Sequence, residues 1–98
     1  MIPEPEASRI LSRNPRVLTA EVGGDIALLS PVNERCYVLN AVASEIWRKL
    51  EQPTETGRLA VSLAEHFDGD ARVIEDDLRA TLEEWTAHRL IEIAPAGR

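Results

Sequence analysis

Arg35-Cys36-Tyr37-Val38-Leu39-Asn40-Ala41-Val42-Ala43-Ser44-Glu45-Ile46-Trp47-Arg48-Lys49-Leu50 contains the change of period on which the fold turns. Up to Leu39 the chain alternates as a strand does. Arg35, Tyr37 and Leu39 fall on one face, Cys36 and Val38 on the other. Beyond Asn40 the apolar positions Val42, Ala43, Ile46, Trp47 and Leu50 recur at helical spacing. Asn40 is the expected cap, because its side chain can accept a bond from a free amide of the first turn. Glu51-Gln52-Pro53 ends that helix.

Upstream, residues 16–22 and 25–29 are two β-prone runs joined by Gly23-Gly24. A Gly pair at that place marks a tight hairpin, whose turn needs positive φ. Ser30-Pro31-Val32-Asn33-Glu34 is a second turn leading into the strand 35–39. Residues 1–15 carry Pro3, Pro5 and Pro15 and read as a flexible N-terminal arm.

Downstream, Thr54 is the expected cap of a second helix whose stripe is Leu59, Ala60, Leu63, Ala64 and Phe67. Asp68-Gly69 is its expected stop, with Gly in the left-handed conformation. Asp70 caps a third, longer helix with Ile74, Leu78, Leu82 and Trp85 as its stripe. Leu90-Ile91-Glu92-Ile93 reads as a short terminal strand or an extended tail, closed by Pro95. The order predicts an α+β domain over residues 16–93, with 94–98 as a tail. It is a winged helix-turn-helix: a three-stranded antiparallel sheet followed by three helices.

Composition limits function. The chain has 98 residues, one domain's worth, with 44% hydrophobic and 29% charged. Seventeen acidic against eleven basic residues give a net charge of −6. That mean field opposes nucleic acid, whose binding rests largely on neutralising phosphates. A single cysteine, Cys36, excludes an internal disulfide. The N-terminus lacks the pattern of a signal peptide, and no run approaches the ~18 apolar residues of a membrane span. The expected compartment is the cytoplasm.

Catalysis finds no support. Two scattered histidines, His66 and His88, with one cysteine do not make a zinc set or a nucleophile–base pair. Both histidines read as surface residues near helix ends. Asp76-Asp77 and Glu83-Glu84 are neighbours in sequence, so on a helix they diverge and form no acid–base dyad. No catalytic residue, cofactor or metal is expected. Two features remain. The strand 35–39, placed at a sheet edge, would offer unpaired backbone groups to an incoming strand. Val73, Ala80 and Ala87 recur every seven residues beside the core row of the third helix, a second apolar strip.

Tyr37-Val38-Leu39-Asn40 with Ala43, Ile46-Trp47 and Leu50 resembles the strand-to-helix signature of the PqqD-like family. Thr54, Leu59, Leu63-Ala64-Glu65 and Phe67 resemble its middle helix. Ile74-Glu75-Asp76-Asp77-Leu78, Leu82, Trp85 and Leu90-Ile91 resemble its closing helix. The family comprises RiPP recognition elements, which bind the leader segment of a ribosomally made precursor peptide and present it to modifying enzymes. The resemblance implies that the backbone of Arg35, Cys36, Tyr37, Val38 and Leu39 pairs with the leader. It also implies that Tyr37, Val73, Asp77, Ala80, Thr81 and Glu84 line the groove beside the third helix. Asp77 stands at the family's recurrent acidic position. The stand-alone length is similar to the leader-binding protein of lasso-peptide clusters, whose partner is a leader peptidase. The sister expectation is a pyrroloquinoline-quinone-type chaperone working with a radical-SAM enzyme. Three residues depart from the pattern: Arg89 and Ala43 replace frequent glycines, and Thr81 replaces a commonly aromatic or aliphatic residue. Rival classes are a winged-helix DNA-binding regulator and a structural subunit of a larger enzyme. Against the regulator, the third helix sets Glu75, Asp76, Asp77, Glu83 and Glu84 against few basic residues.

Overall fold

The computed structural model describes residues 9–67 and 69–95. Two small sheets and three helices enclose one core. Strands β2 (Leu18–Val22), β3 (Asp25–Ser30) and β4 (Arg35–Leu39) follow β1 (Arg9–Arg13) in the chain. Helix α1 (Ala41–Lys49), strand β5 (Thr54–Glu55), helix α2 (Thr56–His66), helix α3 (Ala71–Ala87) and strand β6 (Ile91–Pro95) complete it.

The expected three-stranded antiparallel sheet is β2-β3-β4, in that spatial order. Gly23 (φ +61°) and Gly24 (φ +90°) form its first hairpin turn. Both angles lie in the left-handed region that only glycine adopts without cost. Register is set by burial. Ile26 and Leu28 face the core, opposite Leu39 and Tyr37 on β4 and opposite Glu21 and Thr19 on β2.

Asn40 caps α1 as expected, its Oδ1 accepting from the Ala43 amide at 2.8 Å. The other end of α1 is closed by Arg13, whose guanidinium donates to the Trp47 carbonyl and lies 4.7 Å over the Trp47 ring. Partial burial lowers the Arg13 pKa from its ordinary value, with the Glu51 charge opposing the shift. Asp70 caps α3 by accepting from the Arg72 amide at 2.9 Å.

Four expectations need correction. The expected arm 1–15 contains a strand: β1 pairs with β6 along its length and with β5, making a second three-stranded sheet in the order β5-β1-β6. Leu11 alone of β1 is fully buried, so the segment carries one inward apolar residue and its partners come from distant chain. Residues 1–8 lie outside the described residues. The expected tail from residue 94 begins inside β6, which runs to Pro95. Thr54 does not cap α2. It belongs to β5, its hydroxyl donates to the Lys49 and Gln52 carbonyls, and the cap position is Glu55, without a side-chain bond. The stop of α2 is not a left-handed glycine. Phe67 turns extended (φ −105°, ψ 127°) and packs against the core, ending the helix at His66; Gly69 shows no positive φ. Asp68 lies outside the described residues.

The core joins both sheets and all three helices. Leu11, Ile26, Leu28, Ile46, Trp47, Leu50, Leu59, Leu63, Leu78, Trp85 and Leu90 are buried in it. Trp47 of α1 and Trp85 of α3 meet edge to face at 5.5 Å, the arrangement that their ring quadrupoles favour. The Trp47 indole N–H donates to the Thr19 hydroxyl at 2.9 Å.

Candidate functional site

β4 pairs with β3 and with no other strand, so its outer side is a free edge among the described residues. Along such an edge alternate N–H and C=O groups have no partner in the sheet. The side chains divide as alternation requires. Leu39 is buried and Tyr37 half-buried on the inner face, with Arg35 exposed at the strand's start. Cys36 and Val38 are exposed on the outer face, Val38 by 75%.

Tyr37 is held from two directions. Asn33, in the turn before β4, donates from Nδ2 to the Tyr37 hydroxyl at 2.8 Å, and its Oδ1 accepts from the Arg35 amide. The Tyr37 ring also meets the His88 ring, with centroids 5.4 Å apart. His88 is the residue that ends α3. This contact fixes which side of α3 turns toward the edge. Residues seven apart lie nearly two helical turns from each other, so Ile74, Thr81 and His88 form one row. Asp77 and Glu84 form the adjoining row, and Val73 and Ala80 the next. Ile74 and Thr81 are half-buried; Val73, Asp77, Ala80 and Glu84 are exposed.

The structure thus brings Tyr37 to α3 and gives the other expected α3 residues one common side. None of the ten residues lines a closed pocket. The cavity of about 720 Å³ on α3 opens on the opposite flank, over Leu11, Leu78 and Leu82, and a second of about 610 Å³ lies at α2. The edge and the α3 strip are an open surface, a shape for an extended chain rather than a small molecule. Among the described residues no group of three or more His, Cys, Asp or Glu is placed to hold a metal ion, and no helix is long and apolar enough to cross a membrane.

His88 and Asn33 hold the candidate site residue Tyr37, and sequence reasoning passed over both. His88 reads as a surface group at a helix end. The signal that could have found it is the heptad row Ile74–Thr81–His88. The Arg89 departure has a clear structural form: Arg89 takes φ +61°. Its amide bonds the Thr86 carbonyl and the Leu90 amide bonds the Trp85 carbonyl. That pair of bonds is the Schellman ending usually built on glycine, so the helix exit is preserved without one.

Such a domain, a small sheet with a free edge beside a helix, matches known proteins. Residues 25–91 match the family model described as coenzyme PQQ synthesis protein D (PqqD). A relative from Rhizobium meliloti (strain 1021), named PqqA binding protein, is 31% identical over 83 residues, covering 85% of this chain and 83% of the relative. Among solved structures, that of TbiB1 in complex with the TbiA(beta) leader peptide superimposes with a TM-score of 0.75 at 25% identity. It covers 83% of this chain and 94% of that one. The solution structure of the PqqD part of Methylobacterium extorquens PqqCD, described as a stand-alone RiPP recognition element, gives a TM-score of 0.69 at 21% identity. It covers 85% of this chain and 88% of that one. The chain belongs to the PqqD family.

Proposed function

We propose that this protein is a non-enzymatic adaptor, a RiPP recognition element that captures the leader of a ribosomally made precursor peptide. The leader adds as a strand to the backbone of Arg35–Leu39, while Tyr37, Val73, Asp77, Ala80, Thr81 and Glu84 select its side chains. The observation that carries this reading is the free edge of β4 next to the α3 side fixed by the Tyr37–His88 contact. Main-chain bonds supply register and the strip supplies selection. The names of two relatives support it: one binds PqqA, the other was solved with a leader peptide. Holding the leader raises the local concentration of the rest of the precursor at a modifying enzyme.

The finer reading is a cytoplasmic lasso-peptide adaptor that serves a leader peptidase. Its support is the near-complete coverage of TbiB1 by this chain. A pyrroloquinoline-quinone-type chaperone for a radical-SAM enzyme is the second reading, favoured by the PqqA binding relative. The test uses a synthetic leader peptide, that of TbiA(beta) or of PqqA, the peptides named with the relatives. Hydrogen exchange with that peptide should show new protection across Arg35–Leu39 and none across Leu18–Val22. Protection confined to α2 would overturn strand addition. Pull-down with a lasso-peptide leader peptidase on one side and a radical-SAM enzyme on the other separates the two finer readings.

A further inference from the structure

The outward face of the β2-β3-β4 sheet is unusual for a face left to water. Antiparallel sheets with one solvated face normally alternate apolar inside and polar outside. Here the cross-strand rows on the outer face are Leu18–Leu29–Cys36 and Ala20–Ala27–Val38, followed by Val22–Asp25. Leu18 is 61% exposed, Leu29 46% and Val38 75%. Asp25, at the hairpin, is the one charged residue in these rows. At the β4 edge the rows end in Cys36 and Val38, with no further strand beyond them among the described residues.

A strand added to β4 continues both rows. Its residues opposite Cys36 and Val38 point outward, with side chains about 4.5–5.5 Å from those neighbours. Its residue opposite Tyr37 points inward, toward α3. Both faces of the added strand therefore meet apolar side chains: Tyr37 and the half-buried Ile74 row of α3 inside, with Asp77 and Glu84 next to that row, and Cys36 and Val38 outside. Strands apolar on both faces read as continuous apolar runs rather than alternating ones.

We infer that Val38 and Cys36 are specificity-determining residues, which read the bound peptide from the outer face of the sheet. The peptide class that fits is a segment of about five residues with apolar or β-branched side chains on both faces of the strand. Basic residues belong only where it passes Asp77 and Glu84. The inference rests on the strand-addition reading and adds to it the outer face, which strand addition alone leaves indifferent. A favourable cross-strand pair contributes roughly 0.2–1 kcal/mol, so each outward position should change affinity about 1.5- to 5-fold.

The probe is a phage-displayed library of random 12-residue peptides, selected on the full chain and on Val38→Lys. Enriched peptides are then remade with single cysteines and tested for disulfide formation with Cys36, which reports the register. The expected result has three parts. Cross-linking recurs at alternate peptide positions near one site. The outward positions so identified are enriched in apolar residues on the wild-type protein. Val38→Lys shifts only the position facing it, toward acidic residues. Alternating cross-links with random outward positions, unmoved by Val38→Lys, would overturn the outer-face reading and leave strand addition standing. Enriched peptides that never cross-link to Cys36, or no enrichment at all, would overturn both.

Discussion

β2 and β4 are the two edges of one sheet, and each leaves a row of backbone groups unpaired. Their surroundings differ. β2 is exposed along its whole length, and its neighbour is α1, which reaches it with charged and polar groups. Arg48 approaches Glu21 at 3.9 Å and the Gly24 carbonyl at 3.4 Å, and Trp47 bonds the Thr19 hydroxyl. β4 lies against the end of α3 through Tyr37 and His88, beside a side of that helix where Val73 and Ala80 adjoin Asp77 and Glu84. Both edges offer the same main-chain bonds. Only β4 is in contact with the end of α3, whose mixed apolar and acidic side is the surface proposed to select the peptide. An edge alone is an aggregation risk. An edge beside such a strip is what the proposed strand addition requires.

The two edges share a foundation, so the largest effect comes from removing it. Trp47 lies beneath β2 and Trp85 belongs to α3, and both rings are buried, Trp85 to 4% exposure. Trp85→Ala should cost about 3–5 kcal/mol, the usual range for deleting a buried aromatic, measured by denaturant melts. A loss below about 1 kcal/mol would show that the core collapses around the site with little penalty, and that the α3 side is not anchored by this pair.

The next test sets the edges directly against each other. Asp77→Ala should weaken leader binding by roughly 1–3 kcal/mol, the scale of a hydrogen bond to a charged group, with the melting curve unchanged. Glu21→Ala, the exposed carboxylate of the other edge, should leave affinity as it is, its contact with Arg48 being a surface pair worth about 0–1 kcal/mol. Fluorescence anisotropy with the labelled leader checks both. Equal losses from the two substitutions would mean that net charge, and not the α3 strip, sets affinity.

The sheet β2-β3-β4 and the caps of α1 and α3 are legible in the sequence because their causes are local. Gly23-Gly24 dictates its turn, and Asn40 and Asp70 bond amides two or three residues away. The second sheet is not legible, because β1 has one buried residue, Leu11, and draws its partners from Thr54–Glu55 and Ile91–Pro95. No periodicity within five residues shows a partner some eighty residues along the chain. The end of α2 misleads for a related reason. Phe67 is drawn extended by its place against the core, and that overrides the Asp-Gly signal. At the site, the edge strand and the strip are visible as alternation and heptad spacing. That His88 seats Tyr37 depends on how a helix end meets a strand end, which spacing does not specify.

A smaller effect is expected at β2. Thr19→Val removes the acceptor of the Trp47 indole N–H. The ring is buried but Thr19 is exposed, so water can replace part of the bond, and the cost should be about 1 kcal/mol. Leader affinity should not move. A drop in affinity would show that the two edges are coupled through the Trp47–Trp85 contact, and the contrast between them would have to be redrawn.

The smallest effect is expected at the residue just beyond the site, and it has the opposite sign. Two non-glycine residues of the described chain take positive φ: Glu34 at +59° and Arg89 at +61°. Glu34 immediately precedes β4, and Arg89 immediately follows His88. The two sides of the Tyr37–His88 contact thus each hang on a backbone conformation that L-residues adopt at a cost of about 1–2 kcal/mol. Nothing comparable flanks β2, whose hairpin uses glycines at its left-handed positions. Backbone strain gathers at functional sites when the surroundings hold it in place. At Arg89 the holding bonds are main-chain ones: its amide to Thr86, the Leu90 amide to Trp85, and its own carbonyl accepting from Asn14 Nδ2 at 2.8 Å. Glycine keeps every one of them. Arg89→Gly removes the strain but adds freedom to the unfolded chain, which takes back about 0.5–1 kcal/mol. The net gain should be about 0.5–1 kcal/mol, or roughly 2–8 °C in melting temperature for a domain of this size. Leader affinity should stay within about twofold, since His88 is placed by the helix end and not by the Arg89 side chain. A lower melting temperature would assign the Arg89 side chain a contact worth more than the strain. A higher melting temperature with weakened binding would show that the strained exit itself keeps His88 against Tyr37.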